Sequence, residues 1–217
     1  MILSNDQVKR RYGRLASVYD MALLPFRLLG LEQYRKECIA RLQLRQGDTV
    51  VDMGGGTGLN LPILHDHVGP AGRIVCVDLS SAMLERARER VIRKGYLNVD
   101  LVQTDLADYD FPSNIGGAVA TYALEMIPAY DAVVRSVAAR LPEGRRMASC
   151  GLKHPETWPD WLVRVAIFLT KPFGTSREYT SFRPWKSIRR HLKEVVYREF
   201  LFGAAYLSIG ESRIKRP

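Results

Sequence analysis

The feature that most constrains the fold of this chain is a glycine-rich run at residues 50–58, which reads VVDMGGGTG. The apolar residues before the glycines predict a buried strand, and the segment from Leu59 to His67 has the pattern of a helix. Glycines let the backbone turn tightly and approach a ligand closely, and the start of a helix offers unpaired backbone N–H groups. The run therefore predicts a strand, a ligand-binding turn and a helix, the first unit of an α/β domain.

Strand and helix patterns alternate through most of the remaining sequence. This order predicts a Rossmann-like, doubly wound α/β fold with a mostly parallel seven-stranded sheet. The predicted helices cover 59–67, 81–94, 129–140 and 187–193, and residues 5–44 predict one or two more before the first strand. The predicted strands are 49–53, 73–78, 99–103, 117–122 and 146–151, followed by a hairpin-like pair at 195–202 and 204–209. The alternation breaks at residues 152–184, where aromatic residues and prolines predict an inserted lid or substrate region.

The composition, with 47% hydrophobic and 25% charged residues, is ordinary for one globular domain of 217 residues. Cys38, Cys76 and Cys150 are far apart and form no Cys-x-x-Cys pair, so we predict neither a metal site nor a disulfide framework. The polar first residues predict no signal peptide, and the most apolar window is shorter than the roughly twenty residues of a membrane span. A free thiol at Cys76, in a predicted buried strand, suits a reducing compartment, so we expect a cytoplasmic location.

The chain is strongly basic, with a formal net charge of +9 and a sequence pI near 9.6. A positive surface favours anionic partners, which include nucleic acid, anionic lipid surfaces and acidic substrates. Solubility alone explains such a charge equally well. Charge therefore leaves the partner open.

Two acidic residues follow predicted strands and accompany the glycine run. Asp78 ends the second strand, about twenty residues beyond the last glycine, where an acidic residue can accept hydrogen bonds from ribose hydroxyls. Asp105 follows the third strand. The dinucleotide fingerprint Gly-x-Gly-x-x-Gly is absent, because its third glycine would fall on Leu59 or Leu61.

These elements, over roughly residues 49 to 106, resemble the class I S-adenosylmethionine-dependent methyltransferases. The resemblance implies S-adenosylmethionine as the cofactor. It implies that the glycine loop and Asp52 serve the amino-acid portion, that Asp78 binds the ribose, and that Met83 packs on the adenine. Asp105 and the backbone after it would meet the adenine amino group and ring. The cofactor-binding residues implied are Asp52, Gly54, Gly56, Gly58, Asp78, Leu79, Met83, Asp105, Leu106 and Tyr122.

The methyl acceptor is expected near the ends of the fourth and fifth strands. The segment 122–128, YALEMIP, lacks the Asn/Asp-Pro-Pro-Tyr motif of DNA-type amine methyltransferases, so a nucleic-acid partner is disfavoured. It resembles the corresponding loop of bacterial lipid-headgroup methyltransferases, notably those that make betaine lipids. The pattern at residues 11–20 resembles the opening of phospholipid N-methyltransferases and of ubiquinone/menaquinone C-methyltransferases, in which tyrosines line the site. That resemblance singles out Tyr12 and Tyr19, which could equally form a helix-packing pair.

The catalytic candidates are Tyr19, Tyr122 and His154. A hydroxyl or a carbon acid generally needs a base before it accepts a methyl group, whereas an amine needs only a free lone pair. Glu125 and His154 are the polar groups of these loops that could act as that base. His154 directly follows the fifth strand, where many O- and C-methyltransferases place a catalytic group, although a structural histidine is the common alternative.

The segment from Trp158 to Leu169 is apolar and aromatic, with few charges. Tryptophan favours the membrane–water interface, and the nearby basic side chains could meet anionic lipid. These basic residues are Lys153, Arg164, Lys171, Arg177 and Arg183. Peripheral membrane contact and a lid packed on the domain's own core are both compatible with this segment.

The sequence therefore predicts an S-adenosylmethionine-dependent methyltransferase with a small or lipid-linked acceptor, first a phospholipid-type headgroup nitrogen. The alternatives are C-methylation of a quinone precursor, aminocarboxypropyl transfer, and a noncatalytic Rossmann-like binding module. We expect one domain over 1–217, with N-terminal helices (1–44), a cofactor-binding core (45–151), the lid (152–184) and a terminal helix with its strand pair (185–217). The sequence leaves the oligomeric state open.

Overall fold

A computed structural model describes residues 30–170 and 181–213 of the chain. One sheet and its flanking helices make up this part. The helices are α1 (Leu31–Ala40), α2 (Leu61–Val68), α3 (Ser81–Lys94), α4 (Tyr130–Arg140), α5 (Asp160–Thr170) and α6 (Pro184–His191), with a short 3₁₀ turn at Leu124–Met126. The strands are β1 (Thr49–Met53), β2 (Arg73–Asp78), β3 (Val99–Gln103), β4 (Gly117–Thr121), β5 (Arg146–Leu152), β6 (Lys193–Phe200) and β7 (Ala205–Glu211).

The seven strands form a single sheet in the order β3-β2-β1-β4-β5-β7-β6. The pairs among β1 to β5 are parallel, and β7 pairs antiparallel with both β5 and β6. The predicted mostly parallel, Rossmann-like sheet is confirmed. The strand order reverses between β1 and β4, and in open α/β sheets ligands bind outside the carboxyl ends of the strands at this switch point.

Hydrophobic clusters lie on both faces of the sheet, which explains why the central strands are apolar on both sides. Helices α1, α2 and α3 cover one face, where Ile39, Leu64 and Leu84 pack on the strands. Helices α4 and α6 cover the other face, where Val134 and Ile188 are buried. Because helices cover both faces of the sheet, a ligand can reach the central strands only at their ends.

Several predicted boundaries match the structure and others shift for a local reason. The strands 73–78 and 99–103 and the helix 81–94 are confirmed at both ends. The last helix begins at Pro184 rather than at residue 187, because proline fits the first turn of a helix. Strand β6 ends at Phe200 rather than at Phe202, because Leu201 and Phe202 have positive φ angles of 51° and 52°.

The predicted lid contains helix α5, which the sequence analysis did not predict. Its aromatic composition hides the helical spacing of Trp161, Val165 and Phe168. Whether this segment acts as a lid stays a prediction. Residues 1–29, which include Tyr12 and Tyr19, lie outside the described residues, as do Lys171 and Arg177.

In residues 30–170 and 181–213, no helix combines the length and hydropathy that crossing a membrane requires. The same residues include no cluster of three or more His, Cys, Asp or Glu side chains arranged to hold a metal ion. All three cysteines are free and buried.

Candidate functional site

The glycine loop turns from β1 into α2 at the carboxyl edge of the sheet. Gly54, Gly56 and Gly58 have positive φ angles of 67°, 57° and 77°, a region that glycine enters without strain. A Cβ on Gly54 would lie 2.5 Å from the Cβ of Ala123, so the loop packs closely on the segment after β4. A Cβ on Gly56 would meet nothing within 4 Å. The loop is therefore packed on its inner side and open at Gly56, as a ligand cradle must be.

Asp78 closes β2 and holds this loop. Its Oδ2 accepts a 2.8 Å hydrogen bond from the Gly56 backbone N–H, and its Oδ1 accepts one of 2.8 Å from Ser80. Burial raises the pKa of Asp78, and these backbone donors lower it. Each carboxylate oxygen has two lone pairs, so both oxygens can still accept a hydrogen bond from a diol.

Asp52, in β1, is completely buried beneath the loop. Its Oδ1 accepts a 2.7 Å hydrogen bond from Asn60 Nδ2, while its Oδ2 is buried without a partner among the described residues. Burial raises the pKa of Asp52 to about 6, and the bond from Asn60 acts in the opposite direction. The loop therefore lies over a carboxyl group with unused hydrogen-bonding capacity.

Sequence reasoning missed three residues that extend this contact into a network. Asn60 Nδ2 also lies 3.1 Å from Thr121 Oγ1 at the end of β4. Arg35, from α1, donates through Nη1 to Asn60 Oδ1 at 2.9 Å and to Thr121 Oγ1 at 3.1 Å. The sequence could have indicated two of them, because Asn60 closely follows the glycine run and Thr121 lies near the end of a predicted strand. Nothing in the sequence points to Arg35.

The residues expected around the adenine lie at the adjacent strand ends. Met83 is buried in the first turn of α3, where its N–H donates to the N-cap Ser80 Oγ at 3.4 Å. Leu79 is partly buried and Leu106 is buried. Asp105 Oδ1 accepts a 2.9 Å hydrogen bond from the Ala107 backbone, which also gives it a local role in the turn. All of these residues follow β2 or β3 at the carboxyl edge.

Tyr122 has a positive φ of 58°, which is unusual for a residue other than glycine. Its hydroxyl donates to the Leu31 carbonyl at 3.1 Å, and the guanidinium carbon of Arg35 lies 5.7 Å from its ring centroid. Burial raises the pKa of this phenol, which therefore stays protonated. Tyr122 thus serves as a donor to α1 and is poorly suited to act as a base.

Glu125 follows β4 and His154 follows β5, so both lie beyond the carboxyl ends of these neighbouring strands. Glu125 Oε1 accepts a 3.0 Å hydrogen bond from the Leu152 backbone, whereas Oε2 is buried without a partner in the described part of the chain. His154 Nδ1 is also buried without a partner there. A Cβ on Gly151 would lie 2.4 Å from Glu125 Oε2, so the glycine makes room for the carboxyl group. Burial raises the pKa of Glu125 to about 7, within reach of proton transfer at neutral pH.

Trp161, Val165 and Phe168 form an exposed apolar row on α5, which we call the α5 stripe. Their exposed fractions are 65%, 46% and 73%, and their spacing of four and three residues puts them on one helix face. Trp158 Nε1 donates to the Phe202 carbonyl at 3.0 Å, and the Phe202 side chain is 89% exposed. Since Ala205 pairs with Leu152, the turn with Phe202 lies at the carboxyl edge of β5, on the side of the candidate site.

Solved structures share this architecture. A chain of the complex between the Haloferax volcanii Trm112 methyltransferase activator and a putative methyltransferase superposes with a TM-score of 0.66 at 17% identity, covering 92% of this chain and 97% of its own. Geranyl diphosphate C-methyltransferase from Streptomyces coelicolor gives 0.65 at 14% identity, covering 83% and 78%. The sheet order and the glycine loop thus define a Rossmann-like methyltransferase fold.

Sequence comparison leads from the fold to the family. Residues 50–144 match the family model of the methyltransferase domain. The ubiquinone/menaquinone biosynthesis C-methyltransferase UbiE of Francisella tularensis subsp. mediasiatica is 25% identical over 205 residues, covering 90% of this chain and 81% of its own. Together these matches support the class I S-adenosylmethionine-dependent methyltransferase superfamily. The chain is an enzyme that uses S-adenosylmethionine as its cofactor, so the noncatalytic alternative is set aside.

Proposed function

We propose that this methyltransferase methylates a ring carbon of a lipid-linked quinone precursor. The observation that carries the proposal is the pair of buried proton-accepting atoms, Glu125 Oε2 and His154 Nδ1, at the acceptor edge. The alignment with UbiE C-methyltransferases along most of the chain supports the same assignment. This choice places the quinone precursor ahead of the phospholipid nitrogen that the sequence alone favoured.

A base is needed because a phenol ring carbon becomes strongly nucleophilic only when its hydroxyl loses a proton. S-adenosylmethionine supplies an electrophilic methyl group on a sulfonium. Glu125 Oε2 or His154 Nδ1 would accept the hydroxyl proton before transfer, and the ring C–H proton leaves afterwards to restore aromaticity. A pKa of about 7 lets Glu125 hold and release a proton at neutral pH. Tyr19 stays a predicted acceptor-side residue.

The arrangement at the strand ends supports the predicted cofactor contacts. The Asp78 carboxylate and the backbone of Gly56, which is open to solvent, would hold the ribose. Gly54 and Gly58 would let the loop on either side of Gly56 approach the cofactor closely. Leu79, Met83 and Leu106 would enclose the adenine, with Asp105 at its amino group. Asp52 would act from beneath the loop on the amino-acid portion, and Tyr122 would hold α1 against the site.

A phospholipid-type headgroup nitrogen is the second candidate acceptor. The resemblance of segment 122–128 to lipid-headgroup methyltransferases favours it. An amine attacks through its own lone pair, so this reaction would leave Glu125 and His154 without a catalytic role. The two candidates therefore differ in their need for a base.

Both candidates are lipid-linked, and the α5 stripe supports peripheral contact with a lipid surface. Trp161 is 65% exposed, and tryptophan is enriched at membrane interfaces. Exposed Arg164 lies on the same helix. Residues 153–170 and 181–191 contain six lysines and arginines against two acidic residues, a balance that suits an anionic surface.

The test is the fate of label from S-adenosylmethionine incubated with the purified enzyme and a total cell extract. Methyl label in the organic phase that co-migrates with quinones supports the proposal. Organic label that mild alkaline hydrolysis releases as a water-soluble headgroup supports the second candidate instead. Label confined to the aqueous phase contradicts both. A parallel incubation with carboxyl-labelled cofactor identifies aminocarboxypropyl transfer, because only that reaction moves the carboxyl label to the acceptor.

A further inference from the structure

We propose that the turn between β6 and β7, at residues 201–203, inserts the Phe202 side chain into an anionic lipid surface. The turn lies at the carboxyl edge of β5, because Ala205, which follows it closely, pairs with Leu152. The inference rests on the proposed function in one respect, since a lipid-linked acceptor gives this edge a reason to face a bilayer. The lipid contact itself is tested without any acceptor.

The backbone of the turn is strained. Leu201 and Phe202 have φ angles of 51° and 52°, and Gly203 has one of 84°. Glycine enters this left-handed region freely, whereas a bulky side chain there is a clear outlier. The Gly203 N–H donates to the Phe200 carbonyl at 3.2 Å, and the Ala204 N–H donates to the Leu201 carbonyl at 3.1 Å. The turn therefore holds a phenylalanine in a conformation that its own backbone disfavours.

The segment after β5 fastens the turn from outside. Trp158 Nε1 donates to the Phe202 carbonyl at 3.0 Å, and the Lys153 N–H donates to the Ala204 carbonyl at 2.9 Å. These bonds use the backbone of the turn and leave the Phe202 side chain 89% exposed. Burial of the side chain thus does not compensate the strain. Backbone strain that the surrounding structure maintains is concentrated at functional positions.

The surroundings of the turn favour a lipid surface as the partner. The segment that holds the turn leads directly into α5, where Trp161 and Phe168 of the α5 stripe are also exposed. Residues 153–170 and 181–204 contain eight lysines and arginines against four acidic residues. Exposed aromatic side chains on a basic surface are complementary to an anionic bilayer, in which the rings lie at headgroup depth and the cations meet the phosphates.

The alternative occupant is a second copy of the chain. The two partners differ in what covers Phe202. Another copy would shield the side chain in the absence of lipid, and the more so at higher protein concentration. A bilayer would shield it only when vesicles are added.

The first experiment labels Phe202→Cys with nitrobenzoxadiazole, a dye whose emission depends on polarity. The label is selective, because the three native cysteines are buried. When phosphatidylglycerol vesicles are added, the emission should shift to shorter wavelength and become protected from a water-soluble quencher. Leu97→Cys is the matched control, because Leu97 is fully exposed and precedes β3 at the opposite edge of the sheet. Its label should not respond to vesicles.

The second experiment uses Phe202→Asn, since asparagine adopts the left-handed region more readily than phenylalanine. The variant should melt at or above the wild-type temperature and yet bind phosphatidylglycerol vesicles about tenfold more weakly, the loss expected when an aromatic side chain is no longer buried in lipid. Leu97→Asn should bind the vesicles like the wild type.

Three outcomes overturn the proposal. The first is a label at residue 202 that does not respond to vesicles, and the second is shielding that depends on protein concentration without them. The third is a Phe202→Asn variant that melts at a lower temperature but keeps its vesicle binding, which would assign the side chain to packing. None of these outcomes bears on methyl transfer, which the label partition tests separately.

Discussion

Asn60 Nδ2 lies 2.7 Å from Asp52 Oδ1, and this bond joins the residue before α2 to the strand that enters the glycine loop. Asp52 is completely buried, and its other oxygen has no partner among the described residues. The hydrogen bond from Asn60 therefore offsets part of the free-energy cost of burying the Asp52 carboxyl group.

Replacement of Asn60 by Ala should destabilise the protein, because it leaves the Asp52 carboxyl group buried without a side-chain donor. We expect the free energy of unfolding to fall by about 1–3 kcal/mol, as measured by urea denaturation. S-adenosylhomocysteine affinity should fall as well, since Asp52, the residue expected at the amino-acid portion of the cofactor, loses the donor that fixes its position. Ser113→Ala, at an exposed position, is the control. Unchanged stability in Asn60→Ala would contradict this account of the network.

The network also shows what sequence reasoning could and could not find. Adjacent residues signal the glycine loop, the Asp78 strand end and the helix that follows it, and these are local features that the structure confirms. Thr121 and Arg35 contact Asn60 across 61 and 25 residues of sequence. Such contacts depend on how α1 packs over the sheet, which no local pattern encodes.

Glu125 should make stability depend on pH. Burial raises its pKa from 4.5 to about 7, so the folded protein binds the proton more tightly than the unfolded chain does. The free energy of unfolding should therefore fall as pH rises from about 4.5 to about 7, by about 3 kcal/mol at most. Asp52, whose pKa is raised to about 6, causes a similar fall about one pH unit lower, so the difference between the wild type and a Glu125 variant above pH 6 isolates Glu125.

Urea denaturation of Glu125→Gln across pH 6 to 8 checks this expectation. The variant should lose most of the decline, while Glu143→Gln, at an exposed position, should keep it. An identical pH dependence in wild type and Glu125→Gln would mean that the Glu125 carboxyl group is already ionised in the folded protein throughout pH 6 to 8.

Asp78→Asn should weaken S-adenosylhomocysteine binding by about 1.5–3 kcal/mol, roughly ten- to a hundredfold. The substitution replaces one acceptor oxygen by an NH2 group, which is a donor, so a single oxygen remains to accept from the backbone N–H groups and from a ribose hydroxyl. Calorimetry measures the change. Asp100→Asn on the neighbouring strand is the control, because its ion pair with Arg73 is exposed and worth little. Equal affinity in the Asp78 variant would remove this residue from the ribose site.

His154→Ala separates the two candidate acceptors. If a ring carbon is methylated and His154 is the base, turnover should fall by about a hundredfold or more, the usual contribution of a general base. S-adenosylhomocysteine affinity, measured by calorimetry, should stay unchanged because His154 lies after β5. A largely active variant indicates either amine methylation or Glu125 as the base, and Glu125→Gln then distinguishes these.

The α5 stripe should bind anionic lipid through its aromatic side chains. Co-sedimentation with phosphatidylglycerol vesicles should fall by about tenfold in the double variant Trp161→Asp, Phe168→Asp, because each change removes an interfacial aromatic side chain and adds a repelled charge. Leu97→Asp is the matched control: Leu97 is fully exposed, but it precedes β3 at the opposite edge of the sheet. Binding to neutral phosphatidylcholine vesicles should be weaker than to phosphatidylglycerol, since the basic residues around α5 then lack anionic partners.

If the double variant sediments like the wild type, the stripe does not face lipid. A concentration-dependent mass in light scattering that the double variant abolishes would instead assign the stripe to contact between two copies of the chain.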